Sequence, residues 1–100
     1  MTDKKEIERL IEAELAEANG KYPLFHSPHE AWAVLFEEFN ELEVEVDRMQ
    51  TALSEMFKEV MDDRELTHYI NKIRRNAIYA ACEAIQCAAM CDKAKQSNIL

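Results

Sequence analysis

Apolar residues recur three and four positions apart along nearly the whole chain, and the repeat resets twice. Ile7, Leu10, Ile11 and Leu15 predict a first helix from about Asp3 to Ala18, within residues 1–20. Asp3 and Glu6 fit a D-x-x-E cap at its start, and Asn19-Gly20 is expected to close it, with Gly20 in the left-handed position past the helix end. Residues 21–27 read as a loop whose Tyr22, Leu24 and Phe25 should pack down onto the protein. Ser27, Pro28 and Glu30 then form a strong start signal: an N-cap, a proline at the first helical position and an S-x-x-E capping box. The second helix, 28–61, carries the stripe Trp32, Leu35, Phe36, Phe39, Leu42, Val46, Met49, Leu53, Met56, Phe57 and Val60. Unbroken, it would be roughly 50 Å long. A turn is expected near Asp62-Asp63-Arg64, with Asp62 and Glu65 capping a third helix over 65–96. That helix carries Leu66, Tyr69, Ile70, Ile73, Ala77, Ala80, Ala81, Ala84, Ile85 and Ala88, and its small-residue half lets a neighbour approach closely. The stretch from Asp92 to Leu100 is polar and is expected to fray.

Composition narrows this to one all-α domain. The single Gly and both Pro residues lie between Gly20 and Pro28, so nothing from His29 to Leu100 interrupts a helix. A hundred residues arranged as an antiparallel bundle of three main helices make only a modest core, and self-association is expected to complete it. The formal net charge of -8 argues against nucleic acid or an anionic membrane as a partner. No signal peptide or membrane span is expected from the charged N-terminus and the short apolar runs. Cys82, Cys87 and Cys91 share one helix without metal-ligand spacing, which fits packing residues in a reducing cytoplasm.

Acidic residues are concentrated. Six fall between Glu37 and Asp47, and no Lys or Arg lies between Lys21 and Arg48. Like charges one turn apart on a helix repel, so such a cluster points to a cation. Glu38, Glu41 and Glu45 fall within some 60° of one another on the helical wheel, beside the apolar stripe, where a bundle builds metal sites from facing side chains. Oxygen ligands without His or Cys favour Mg²⁺ or Mn²⁺. On the third helix, Lys72, Arg75, Tyr79, Glu83, Gln86 and Met90 form one stripe. It offers a carboxylate and an amide to a metal and two cations to phosphates. Glu38, Glu41 and Glu83 would suffice to hold the ion.

The run Ser27-Pro28-His29-Glu30-Ala31, the motif Glu37-Glu38-Phe39-Asn40-Glu41 and the segment Glu83-Ala84-Ile85-Gln86-Cys87-Ala88-Ala89-Met90 together resemble the MazG-like all-α nucleoside triphosphate pyrophosphatase superfamily. Its small phage-associated members are the most similar, and the likeness extends from Tyr22 onward. The resemblance implies Mg²⁺-dependent hydrolysis of a (deoxy)nucleoside triphosphate to the monophosphate and pyrophosphate, by homodimers or homotetramers. It also implies metal ligands at Glu38, Glu41 and Glu83, with Gln86 standing where the family has Asp. Glu37 is then the candidate general base, Lys72 and Arg75 the candidate phosphate ligands, and Trp32, Phe25 or Tyr79 the candidate surfaces for the base. A literal E-x-x-D at Glu59-Val60-Met61-Asp62 is set aside, because on one helix it begins about five turns from Glu41.

Plainer readings stand beside these. Glu43 and Asp47 read as solvated charges. Lys72 and Arg75 suit an ordinary surface, and Trp32, Tyr79 and the methionines suit a core. His26 and His29 flank the helix start. The substitution at Gln86 leaves open a catalytically weak or inactive relative, acting as an interaction module or a nucleotide sensor.

Overall fold

The computed structural model describes residues 2–100. Three helices account for nearly all of them: α1 (Lys4–Lys21), α2 (Pro28–Met61) and α3 (Thr67–Gln96), and the described residues contain no strand. α2 and α3 pack along each other, and α1 lies against α3.

Local chemistry accounts for each boundary. The Asp3 side chain accepts from the Lys5 amide at 3.0 Å, while Glu6 pairs with Arg9 at 2.8 Å and leaves the capping role to Asp3 alone. Gly20 does not end α1. The helix runs through it to Lys21 with no positive φ, and the Tyr22 amide still donates to Ala18 O at 2.9 Å. Two contacts hold this last turn in register: Lys21 on Glu17 at 3.1 Å and the Asn19 amide on Gln96 at 3.0 Å. A Cβ at Gly20 would meet nothing within 4 Å. Gly20→Ala is therefore expected to raise stability by about 0.5–1 kcal/mol, read as a higher denaturant midpoint at unchanged slope.

Ser27 caps α2 by accepting from the Glu30 amide at 3.1 Å. The Glu30 carboxylate reaches one residue further back than a capping box requires and takes the His26 amide at 3.2 Å and the His26 ring. At the other end, Asp63 adopts a left-handed φ of 52° and turns the chain. Asp62 is the C-cap of α2 and makes no cap to α3; Glu65 does that work, accepting from the Thr67 amide at 2.8 Å and from its hydroxyl. α3 accordingly starts at Thr67 rather than 65.

The C-terminal stretch does not fray. Lys93 and Ala94 are buried, and Ser97 ties down the loop by accepting from the Phe25 amide at 2.9 Å while donating to Lys93 O at 2.7 Å. Of the loop's apolar residues only Phe25 is buried; Tyr22 and Leu24 stay exposed. Phe25, Ala31, Ala89, Met90 and Ala94 form the main core, with Ile11, Leu15, Ala18, Val34, Leu35 and Ile99 against it. This core sits at one end of the bundle, where all three helices meet.

The long helix has two apolar seams rather than one. Ala31, Leu35, Leu42, Met49, Ala52 and Met56 are buried or half-buried, with Glu38 and Glu45 among them at the same spacing. Trp32, Phe36, Phe39, Val46, Leu53, Phe57 and Val60 form a parallel stripe that is exposed, Trp32 at 65%. Trp32 and Phe36 stack with ring centroids 5.0 Å apart. The molecule is 56 Å long with a radius of gyration of 17.3 Å, against about 13 Å for a compact chain of this length. One copy is thus an open sheaf that leaves this stripe uncovered.

Candidate functional site

Antiparallel packing of α2 on α3 brings carboxylates from distant parts of the chain together. Glu38 and Glu41 lie one turn apart on α2, and Glu83 projects from the middle of α3. One carboxylate oxygen from each lies within 4.8 Å of the other two. Glu38 and Glu83 are half-buried and Glu41 is exposed, so the group opens to solvent on one side.

Electrostatics at this point are unfavourable without a counter-charge. Oε2 of Glu38 and Oε2 of Glu83 are both buried with no hydrogen-bond partner. Burial of the charge, then contact with the Glu41 carboxyl, then the fields of Glu38 and Glu45 push Glu83 up to about 7. Glu38 is pushed up as well, first by burial and then by Glu41, Glu37 and Glu14, with only its contact to Glu83 acting the other way. A bare helix face would leave such groups solvated. Here two carboxylate oxygens have been taken out of water with no donor supplied from outside the acidic group itself, and burying more than one charge in that state is costly. A divalent cation fits the donor set: three convergent carboxylates, no nitrogen or sulfur, and an open side for water or phosphate oxygens.

A cleft of about 600 Å³ adjoins the cluster. α3 contributes Gln86, Met90 and Lys93; α2 contributes Glu30, Val34, Glu37 and Glu38. The third wall is Glu14, Glu17, Ala18 and Lys21 of α1, with Tyr22, Pro23 and Phe25 of the loop. Glu37 and Gln86 therefore line, next to Glu38, a cavity of the size that takes small molecules.

The other candidate residues lie elsewhere. Lys72 faces a separate shallow depression with Val44, Asp47, Arg48 and Thr51. Arg75 is exposed. Trp32 and Tyr79 are exposed and outside the lining of the cleft, whereas Phe25 is part of it. Glu59, of the literal E-x-x-D, pairs with Arg64 at 3.5 Å, away from the cluster. Cys87 is half-buried, and burial followed by the field of Glu38 raises its thiol, the opposite of what a nucleophile needs.

Comparison with protein-family models, with curated proteins and with solved structures returns no match to this chain. The site therefore rests on its own geometry. That geometry also contains a residue absent from the sequence-based set, Lys93, which is 3% exposed and reaches over the Phe25 ring at 5.1 Å from its centroid.

Proposed function

We propose that this chain is a MazG-like pyrophosphohydrolase that cleaves nucleoside triphosphates to the monophosphate and pyrophosphate with Mg²⁺ or Mn²⁺. One observation carries the reading: the partnerless, buried oxygens of Glu38 and Glu83, converging with Glu41 within 4.8 Å. Glu38, Glu41 and Glu83 would hold the ion, and Gln86 would offer a neutral amide oxygen from the cleft wall. A bound divalent ion supplies neutralisation of phosphate oxygens and polarisation toward in-line attack. Glu37, exposed in the lining of the cleft, would accept a proton from the attacking water. The test is a panel of ribo- and deoxyribonucleoside triphosphates scanned for metal-dependent pyrophosphate release. Release from at least one of them supports the reading, and none with either metal rejects it.

We further propose that a second copy of the chain covers the outer stripe of α2. From Trp32 to Val60 the stripe steps by three, four or seven residues, the spacing that keeps one face of a helix toward a partner helix. At micromolar concentration the chain is expected to sediment as a dimer or tetramer. Phe36→Glu, which replaces one ring of the stacked aromatic pair, should return it to the monomer mass.

A second reading keeps the fold and drops the chemistry, leaving an interaction or nucleotide-sensing module. Gln86 favours it, because an amide brings no charge to the ion. Nucleotide binding without turnover would select the sensor.

A further inference from the structure

The α2–α3 pair has two faces, and they are built differently. One carries the carboxylate group and the cleft, and α1 and the loop wall that side together with Glu37 and Glu38. α1 lies against α3 and does not pack on α2, so among the described residues nothing covers the opposite face. The exposed stripe of α2 belongs to that face: on the helical wheel it and Glu41 lie on opposite sides of the buried seam. α3 contributes a second stripe to the same face, Ile70, Ala77, Ala81, Ala84 and Ala88, across its own seam from Gln86. Ile70, Ala81 and Ala84 are exposed. Bulky side chains thus line one half of the face, and methyl groups line most of the other.

The surface area shows how much cover is missing. A compact protein of this length exposes about 5800 Å², whereas this chain exposes 7442 Å². The excess is about 1600 Å² per copy, or about 3200 Å² over two copies, within the range of obligate dimer interfaces. A contact between identical faces must also be self-complementary. The approach of Glu41 to Glu83 sets the level of α2 against α3. Counting in opposite directions from that pair, Phe36 stands level with Ala88, Phe39 with Ala84, Val46 with Ala77 and Leu53 with Ile70, to within one residue. Where α2 is aromatic, α3 is alanine. A twofold axis along the helices keeps these levels and lays each α2 on the α3 of the other copy, large against small, as close packing requires. It also brings Arg74, at the edge of the alanine stripe, level with Gln50 and within one turn of Asp47 of the other copy. A twofold axis across the helices, centred on the stripe, would instead set aromatic on aromatic, alanine on alanine and Asp47 near its own counterpart.

We infer that the face turned away from the carboxylates is an isologous interface in which the outer stripe of α2 packs on the alanine stripe of α3 from a second copy, closing a four-helix bundle. This rests on the self-association proposed above and names the surface that receives the stripe. The arrangement is independent of the chemistry at Glu38, Glu41 and Glu83. Both carboxylate groups and both clefts stay on the outside of the bundle.

The experiment is sedimentation equilibrium of full-chain variants at micromolar concentration, with thiol cross-linking as a second measurement. Ala81→Arg exchanges one good helix former for another at an exposed position. It is harmless to an isolated copy and should cut the sedimenting mass by half or more. For cross-linking, Cys82, Cys87 and Cys91 are replaced by alanine, and chains with Val46→Cys are co-expressed with chains carrying Ala77→Cys. A short bifunctional thiol reagent should join the two kinds of chain, and neither kind to itself. A mass unchanged by Ala81→Arg, no cross-link, or Val46→Cys chains joined to each other overturns the inference. Should Ala81→Arg lose its helix signal in circular dichroism, the cross-link decides alone. A mass lowered by Phe36→Glu and not by Ala81→Arg would place the second copy on α2 only, so that the inference fails and the self-association stands. An unmodified chain that sediments as a monomer overturns both.

Discussion

Glu38→Ala and Glu41→Ala are each expected to lower metal-dependent pyrophosphate release by more than about a hundredfold, with no loss of thermal stability. The size follows from the part these groups are assigned. Disturbing the residues that merely support a metal ligand costs ten- to a hundredfold, and removing a ligand itself costs more. The stability half of the prediction separates chemistry from unfolding. Glu38 is half-buried among like charges, with Oε2 unsatisfied and its carboxyl pushed up by burial and by Glu41. Alanine removes that repulsion and is the best helix former. The variants should therefore melt at the same temperature as the unmodified chain or above it. Glu43→Ala is the control: it is exposed on the same helix, outside both the cluster and the cleft, and should leave the rate unchanged. Gln86→Asp should raise activity if the amide has weakened the site. Retention of activity within threefold by either alanine variant would remove Glu38 and Glu41 from the chemistry.

How these residues come together was legible in the sequence for a simple reason. A helix places positions three and four apart on one face, and a chain without Gly or Pro from His29 onward has only one way to use that rule. Glu38 and Glu41 had to share a face, and antiparallel packing after the turn at Asp63 carried Glu83 to their level. Periodicity does not say which neighbour a face will meet. The apolar stripe of the long helix reads as one band, but α3 is narrow enough to cover only the Ala31–Leu35–Leu42–Met49 side. Trp32 and Phe36 are left facing out. Lys93 was hidden for a different reason. It sits in a segment whose polar composition reads as a frayed end, and what holds that segment is tertiary: Ser97 bridging to the Phe25 amide, Asn19 reaching Gln96, and Ala94 buried in the core. Gly20 misleads in the same way, since the contacts of its neighbours outweigh the modest cost of glycine within a helix.

Metal-free protein is expected to lose stability as pH rises from about 4.5 to 7, and divalent metal should reverse the trend. The sign follows from Glu83. Its carboxyl has its ordinary value of about 4.5 when the chain is unfolded and is pushed up to about 7 by burial and the neighbouring carboxylates in the folded state. Between those values the folded protein retains a proton that the unfolded chain has released. Unfolding then liberates a proton, and higher pH favours it. The contribution is complete below pH 4.5 and is gone above 7; Glu38, also raised, acts in the same direction. Allowing for solvent screening at a site open on one side, the loss amounts to about 1–2 kcal/mol. Glu65 and Glu30, whose carboxyls are held down by hydrogen bonds from Thr67 and His26, lose their contributions only at lower pH. Metal needs the carboxylates ionised, so its affinity climbs through the same window. At a hundred times its dissociation constant it should add about 2.7 kcal/mol, or about 10–20 °C in Tm for a domain of this size. Glu83→Gln isolates the effect. It should flatten the metal-free pH dependence, stabilise the chain at pH 7, and abolish most of the rise on adding Mg²⁺ or Mn²⁺. Melting curves from pH 4.5 to 7.5, with and without metal, measure all three. A pH slope shared by the unmodified chain and Glu83→Gln would mean that Glu83 is not the titrating group, and a Tm indifferent to both metals would mean that the three carboxylates hold no ion.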